Sequence, residues 1–290
     1  MSAPRCSIVI ATRNRAATLL QTLTRLAAAS NDVPIVVVDN GSIDGSAHAV
    51  RARHPDVTVI GLAENRGAAA RTVGVRRCAT PYVAFCDDDS WWESGAVQRG
   101  SDLLDSFPGV ALLNARVLVN DLEELDAACR LMASSELSKK TACPGTAIAA
   151  FLAGACMVRR DAFLQAGGYH ERYLIGAEES LLALDLLARG WEMLYVEELV
   201  VHHFPASSER DPQRRRRLVM RNRLWTAWLR NSPRHALDET LRTLASARTD
   251  PEARAALRAA VGGLPWILRE RRPVARELER RLARVTELPA

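Results

Sequence analysis

The chain has 290 residues, 48% hydrophobic and 25% charged, which describes an ordinary soluble globular protein with a sizeable core. No apolar stretch approaches the roughly 18–20 residues needed to cross a bilayer, and Cys6, Cys78, Cys86, Cys129, Cys143 and Cys156 show neither a CxxC pair nor zinc spacing, so reduced thiols in a cytoplasmic protein are expected. Charge is unevenly divided: 19 arginines stand against 8 acidic residues from position 213 onward, while 20 basic and 26 acidic residues precede it.

The opening MSAPRCSIVIATRNR lacks a basic segment followed by a long apolar one, so it does not read as a signal peptide. CSIVIA (6–11) is instead a first buried strand, and RAATLLQTLTRLAAAS has helical apolar spacing. PIVVVD (34–39), DGSAHAVRARH, VTVIGL (57–62), RGAAARTVGVRRC, YVAFCDD and SGAVQRGSDLLDSF continue the alternation. A β-α-β-α-β-α-β-α order with near-continuous apolar strands predicts an α/β fold whose doubly wound sheet is mostly parallel and covered on both faces.

After residue 108 the rhythm changes. VALLNARVLVN reads as one strand, 120–145 is polar and irregular with SSELSKKTACPG as a mobile loop, and TAIAAFLAGACMVRR returns to the core. DAFLQAGGY predicts a short helix, AEESLLALDLLARG a longer one closed by Gly190, and WEMLYVEELVVHH a last strand or strand pair. From 211 onward the pattern is helical throughout, with Asp-Pro and Ser-Pro openings that suit helix N-termini. The expected division is an α/β domain over 1–210 and a basic α-helical extension over 211–290.

Ligands of open parallel sheets bind outside the carboxyl ends of the strands. Polar residues gather at those ends: Ala11-Thr12-Arg13-Asn14, Asp39-Asn40-Gly41-Ser42, Glu64-Asn65-Arg66-Gly67 and Asp87-Asp88-Asp89. No GxGxxG follows the first strand, which argues against a dinucleotide fingerprint.

SIVIATRNRAATL, VVVDNGSIDGS, ENRGAAARTVGV, FCDDD, GACMVRRDAFLQAGGYHERY, GAEESLLALDLLARGW and VVHHFP, in this order over roughly residues 5–210, resemble the successive blocks of the family 2 glycosyltransferases. The resemblance implies the GT-A fold and an inverting transfer of a sugar from a nucleotide-diphosphate donor, UDP- or dTDP-linked, to a hydroxyl acceptor. It makes Asp89 the best ligand for Mn²⁺ or Mg²⁺, with Asp87 facing the ribose or the metal and Asp88 between them, also on the nucleotide side. Clustered aspartate oxygens are hard ligands suited to either ion, and a histidine tilts the set toward Mn²⁺. The same resemblance places Asp39 on the base, Arg71 near base or phosphate, and Ala11, Thr12, Arg13 and Asn65 along the nucleotide. Thr72 stands where the family often has Asn.

Glu179 aligns with the family's general base and Glu178 with its acidic neighbour. At a helix start both would gain from the macrodipole, which favours the ionised form. The family's metal-binding histidine falls on His202 or His203; adjacent strand residues point to opposite faces, so at most one of them reaches the metal, with His203 slightly ahead. Trp91 and Trp92 either stack on a sugar or cap the following helix. Gly154-Ala155 and Gly167-Gly168-Tyr169 permit close backbone approach around the acceptor.

RRRRLVMRNRLWTAWLR (214–230) admits three roles: a basic amphipathic helix on the anionic inner face of a membrane, a helix packed on the core with arginines reaching the diphosphate, or a solvated appendage or homodimer surface. No nucleic-acid motif is present. The acceptor classes open at this point are a glycan, a lipid-linked glycan or a small molecule. A nucleotidyltransferase on a related fold, or a non-catalytic nucleotide-sugar-binding protein, are the competing functions.

Overall fold

The structure is a computed structural model that describes residues 3–29, 33–205 and 211–282. The predicted alternation is present: β1 (Cys6–Thr12), α1 (Ala16–Ala29), β2 (Ile35–Asp39), α2 (Ser46–Arg53), β3 (Thr58–Gly61), α3 (Ala69–Arg77) and β4 (Tyr82–Cys86). β3, β2, β1 and β4 lie side by side, all parallel, with β1 central between β2 and β4. Ile8, Val9, Ile10, Val37, Val38, Val83 and Phe85 are fully buried, as expected for strands covered on both faces.

Two tryptophans depart from expectation. Ser90–Trp92 forms a short strand, β5, that runs antiparallel to the last strand of the sheet. Trp92 is wholly buried and its indole donates to Phe85 O at 2.9 Å, while Trp91 lies beneath Arg25, whose guanidinium sits 4.0 Å from its ring centre. Neither caps the following helix, α4 (Ala96–Ser106), whose N-cap is Gly95, and neither lines the cavity described below.

The second half of the sheet is mixed. β6 (Val110–Val119) leads to the small β7 (Glu124–Leu125), α5 (Ala127–Ala133) and β8 (Thr146–Ala147), so part of the stretch read as irregular is ordered. The loop after α5 is pinned by Lys139, whose ammonium donates to Cys143 O at 2.7 Å and Gly145 O at 2.9 Å. β9 (Cys156–Arg159) runs antiparallel between β4 and β6; α6 (Arg160–Gln165), α7 (Glu178–Ala188) and β10 (Glu192–His203) follow. β10 is one strand parallel to β6, with a bulge after Val196 that leaves Glu197 and Glu198 exposed.

α8 (Pro212–Arg230), α9 (Pro233–Ser246), α10 (Pro251–Val261), α11 (Leu264–Glu270) and α12 (Arg276–Leu282) complete the described chain. α8 is the axis of this group and packs on α7, α9, α10 and α11. Trp225 and Leu229 join Tyr173, Leu181, Trp266 and Ile267 in a second apolar core. The apolar stripe is therefore closed to a bilayer: Leu224, Trp225 and Leu229 are buried against protein and Leu218 is buried at the wall of the cavity described below. The Arg230–Asp185 ion pair at 2.6 Å reinforces the α7–α8 contact, and all six cysteines are free and buried.

Candidate active site

The carboxyl ends of β1, β4 and β10 and the N-terminus of α7 open into one cavity of about 1110 Å³. Ala11, Thr12, Arg13, Asn65 and Arg71 line it, as do Asp87, Asp88 and Asp89. Glu178, Glu179 and His203 line it as well, and α8 and α9 supply its far wall. Two predicted residues do not. Asp39 accepts the Ser42 amide at 2.9 Å in an Asx-turn and is not on the cavity surface, where its neighbour Asn40 is found. His202 stacks on Trp91, ring centres 5.3 Å apart, with Nδ1 3.9 Å from a Glu123 oxygen.

The three aspartates diverge from one another. Asp88 turns inward and accepts from Thr12 Oγ1 at 2.7 Å and Arg15 Nη1 at 2.5 Å, while Thr22 Oγ1 donates to its backbone carbonyl at 2.8 Å. Burial pushes its carboxyl up to about 6 against the pull of Arg15 and Thr12. Arg15 also donates through Nη2 to Asp89 Oδ2 at 2.9 Å, and His203 Nε2 lies 3.4 Å from Asp89 Oδ1. Burial opposes ionisation of Asp89, yet the hydrogen bonds from His203 and Arg15 hold it well below the usual carboxylate range. His203 is raised in turn, chiefly by its bond to Asp89. Like-charge repulsion in the run is thus offset by protein cations, one of which, Arg15, is absent from the sequence-based candidates.

Asp87 points the other way, to Arg71 Nη2, and lies against Gly154. A Cβ on Gly154 would stand 2.2 Å from Asp87 Oδ2, so the close approach expected at this glycine is to a cavity carboxylate. Arg71 is held charged despite its burial, first by Asp87 and then by the acidic pair Glu178-Glu179. Its Nε is buried without a partner, as is Glu178 Oε2. Thr72 is turned away and accepts the Tyr169 amide at 2.9 Å.

Glu178 and Glu179 open α7, and the helix dipole does not decide their state. Burial, followed by the charge of Glu179, pushes Glu178 up to about 8; burial likewise raises Glu179. Desolvation outweighs the macrodipole, and the pair holds a proton around neutrality. The backbone leading to them is strained, with left-handed φ of 63° at Leu174 and 57° at Ala177 on either side of Gly176. Asn222 of α8, fully buried, holds that bend: its Nδ2 donates to Tyr173 O at 3.0 Å, Ile175 O at 3.2 Å and Gly176 O at 2.5 Å. The same bend meets the β3–α3 loop, where Ala68 N donates to Leu174 O at 2.6 Å and a Cβ on Gly67 would lie 1.8 Å from that oxygen.

Asp89 and His203 are the residues able to share a cation, a hard oxygen beside an imidazole nitrogen. Among the described residues no cluster of three or more His, Cys, Asp or Glu is arranged around one metal position. A two-donor set fits an ion that takes its other ligands from phosphate oxygens and water, as Mg²⁺ commonly does.

A family model described as Glycosyl transferase family 2 matches residues 7–165. The matched stretch includes the Asp run and Arg71 and ends before α7. An N-acetylglucosaminyl-diphospho-decaprenol L-rhamnosyltransferase of Mycobacterium tuberculosis is 25% identical over 218 residues, 64% of this chain and 71% of that protein. A pre-mycofactocin glycosyltransferase of the same species is 30% identical over 71% of this chain, which spans only 44% of that protein. Among solved structures, the mannosyltransferase PcManGT from Pyrobaculum calidifontis, in complex with GDP-Man and Mn²⁺, superposes with a TM-score of 0.56 at 20% identity, covering 90% of this chain and 76% of the other. That likeness establishes the GT-A fold.

Proposed function

This chain belongs to glycosyltransferase family 2, and on that premise we propose that its cavity transfers a sugar, with inversion, from a nucleotide-diphosphate donor to a hydroxyl acceptor. The observation that carries the reading is the placement of Arg71 between Asp87 at the strand ends and Glu178-Glu179 at α7. Donor-side and acceptor-side carboxylates thereby share one cavity.

The nucleotide lies along Ala11, Thr12, Arg13 and Asn65, with a UDP- or dTDP-sugar as donor, and Asp39 reaches the base only by leaving its Asx-turn. Glu179 serves as general base: it takes the acceptor hydroxyl proton as that oxygen bonds to the anomeric carbon and the bond to the diphosphate breaks. Glu178 keeps its proton and spares Glu179 a second adjacent charge. Asp89 and His203 would hold Mn²⁺ or Mg²⁺, with Asp87 able to join them only by turning away from Arg71; the ion would supply charge compensation for the departing diphosphate. Arg15 keeps Asp88 and Asp89 apart and oriented. Residues 1–210 form the catalytic unit, and the helices after 211 wall the acceptor side, where Arg214 and Arg215 border the cavity.

The test is donor hydrolysis and transfer across a panel of nucleotide sugars, with and without Mn²⁺, for wild type and Asp89→Ala. Turnover of at least one donor, lost in the variant, supports the reading. A chain that binds nucleotide sugars yet turns none over with any hydroxyl acceptor is a binding protein instead.

A further inference from the structure

Beyond the transfer reaction, we propose that α9, α10 and α11 dock the chain onto an anionic lipid surface. α9 carries three stripes at helical spacing. His235, Glu239 and Arg242 line the cavity, and Ala236 and Thr243 are buried against the protein. Leu237, Leu241 and Leu244 form the third stripe and are 50%, 54% and 49% exposed. Three more apolar side chains protrude from α10 and α11: Val261 at 62%, Leu264 at 44% and Leu268 at 73%. Six of the nine large exposed apolar residues among the described ones thus fall within 237–268, on α9 and α10, which pack on one another, and on α11, which follows α10 and packs on α8. Such a concentration marks a surface that meets something apolar.

Charge selects the partner. Arg234, Arg248, Arg258 and Arg272 are exposed and have no acidic partner among the described residues. Most carboxylates of the stretch are already committed: Glu239 to Arg242, Asp250 to Arg216, Glu252 to Arg217 and Glu270 to Arg269, which leaves Asp238 exposed. A second copy meeting this face would bring its own arginines against these and be repelled. An anionic bilayer interface is apolar beneath and negative above, so it accepts the leucines while the longer arginines reach the headgroups. The docking role therefore falls to α9–α11, because α8 buries its own apolar stripe.

The experiment is co-sedimentation of the full chain with phosphatidylcholine vesicles, with and without phosphatidylglycerol. The expected result is binding to the anionic vesicles only, weakening with salt. Leu241→Glu combined with Leu244→Glu should lower that binding about tenfold or more, since the two leucines lose their insertion. Arg248→Gln and Arg258→Gln should each lower it about fivefold. Leu268→Glu, at the most exposed of the six sites, repeats the test without risk to α9, and unchanged melting temperatures show that the fold is intact. Wild type that ignores anionic vesicles overturns the proposal, as do leucine variants that bind like wild type. A concentration-dependent dimer that the leucine variants turn into monomer also overturns it, by showing that a second copy covers the face.

Discussion

Asp89 and His203 meet across the sheet, Oδ1 to Nε2 at 3.4 Å, and join the end of the Asp run to the end of the last strand. Asp89→Ala should abolish transfer, whereas His203→Ala should weaken Mn²⁺ binding far more than His202→Ala, whose imidazole stacks on Trp91. Calorimetric titration of each variant decides this. Metal must displace the proton that Asp89 favours on His203, so affinity for Mn²⁺ should rise with pH. Without metal the sign is opposite. Asp89, held below its ordinary 3.8, stabilises above that value, and His203, raised above 6.5, stabilises below 6.5 and loses its contribution as pH rises past its folded value. This pair's contribution to the melting of the metal-free chain should therefore be largest between those limits.

Asp88 and Asp89 should separate by function. Asp88→Asn is expected to cost about 2 kcal/mol of stability, because one of its two buried donors loses an acceptor, and to leave most of the turnover in place. Arg15→Ala removes the cation shared by both aspartates and should cost about 3 kcal/mol. Urea melts with parallel rate measurements test both.

The two glutamates should differ in their pH profiles. Glu179→Gln should bind donor and not turn over. Glu178→Gln mimics the protonated neighbour, so it should keep transfer below pH 8 and remove any change in kcat/KM near pH 8. Since burial raises Glu178 above its ordinary 4.5, wild-type stability falls as pH rises from there through about 8. The Gln variant should consequently melt higher than wild type above pH 8.

Gly154→Ala adds a methyl where the Asp87 carboxylate rests. The carboxylate can swing aside, so the fold should tolerate the change while kcat/KM drops about a hundredfold from misplacement of Asp87 and Arg71. Equal losses of stability and activity would contradict this.

Asn222→Leu leaves three carbonyls of the bend before α7 without their shared donor. A loss of about 3 kcal/mol is expected, together with turnover slowed more than nucleotide affinity is weakened, since the bend carries Glu178 and Glu179 and meets the nucleotide side only through Gly67 and Ala68.

The architecture was legible wherever period and position coincide. Apolar strands leading into Asp39 and Asp87 announced the sheet and the edge at which the cavity opens, and alternation along β10 implied that at most one of His202 and His203 would face it. Arg15 was hidden because it is one basic residue in a polar loop, and nothing local says that it folds back across two aspartates. Trp91 and Trp92 misled because a three-residue edge strand has too little periodicity to declare itself. The dipole reading of Glu178-Glu179 failed for want of burial, which no residue pattern reports. Asn222 looked like any polar residue in an Arg-rich helix; its meaning lies in a loop almost fifty positions earlier.

The three bonds from Asn222 also set rules for recombination. A graft that exchanges only the α/β part between relatives would keep the nucleotide strands and orphan the bend from Tyr173 to Gly176. One that exchanges only the terminal helices would bring a foreign side chain to the same three carbonyls. The natural crossover is after α6, where β1 to β4 are complete and the bend, α7 and α8 have yet to begin, so that chimeras joined there should keep the bend with its α8 partner while drawing Asp89 and His203 from different parents.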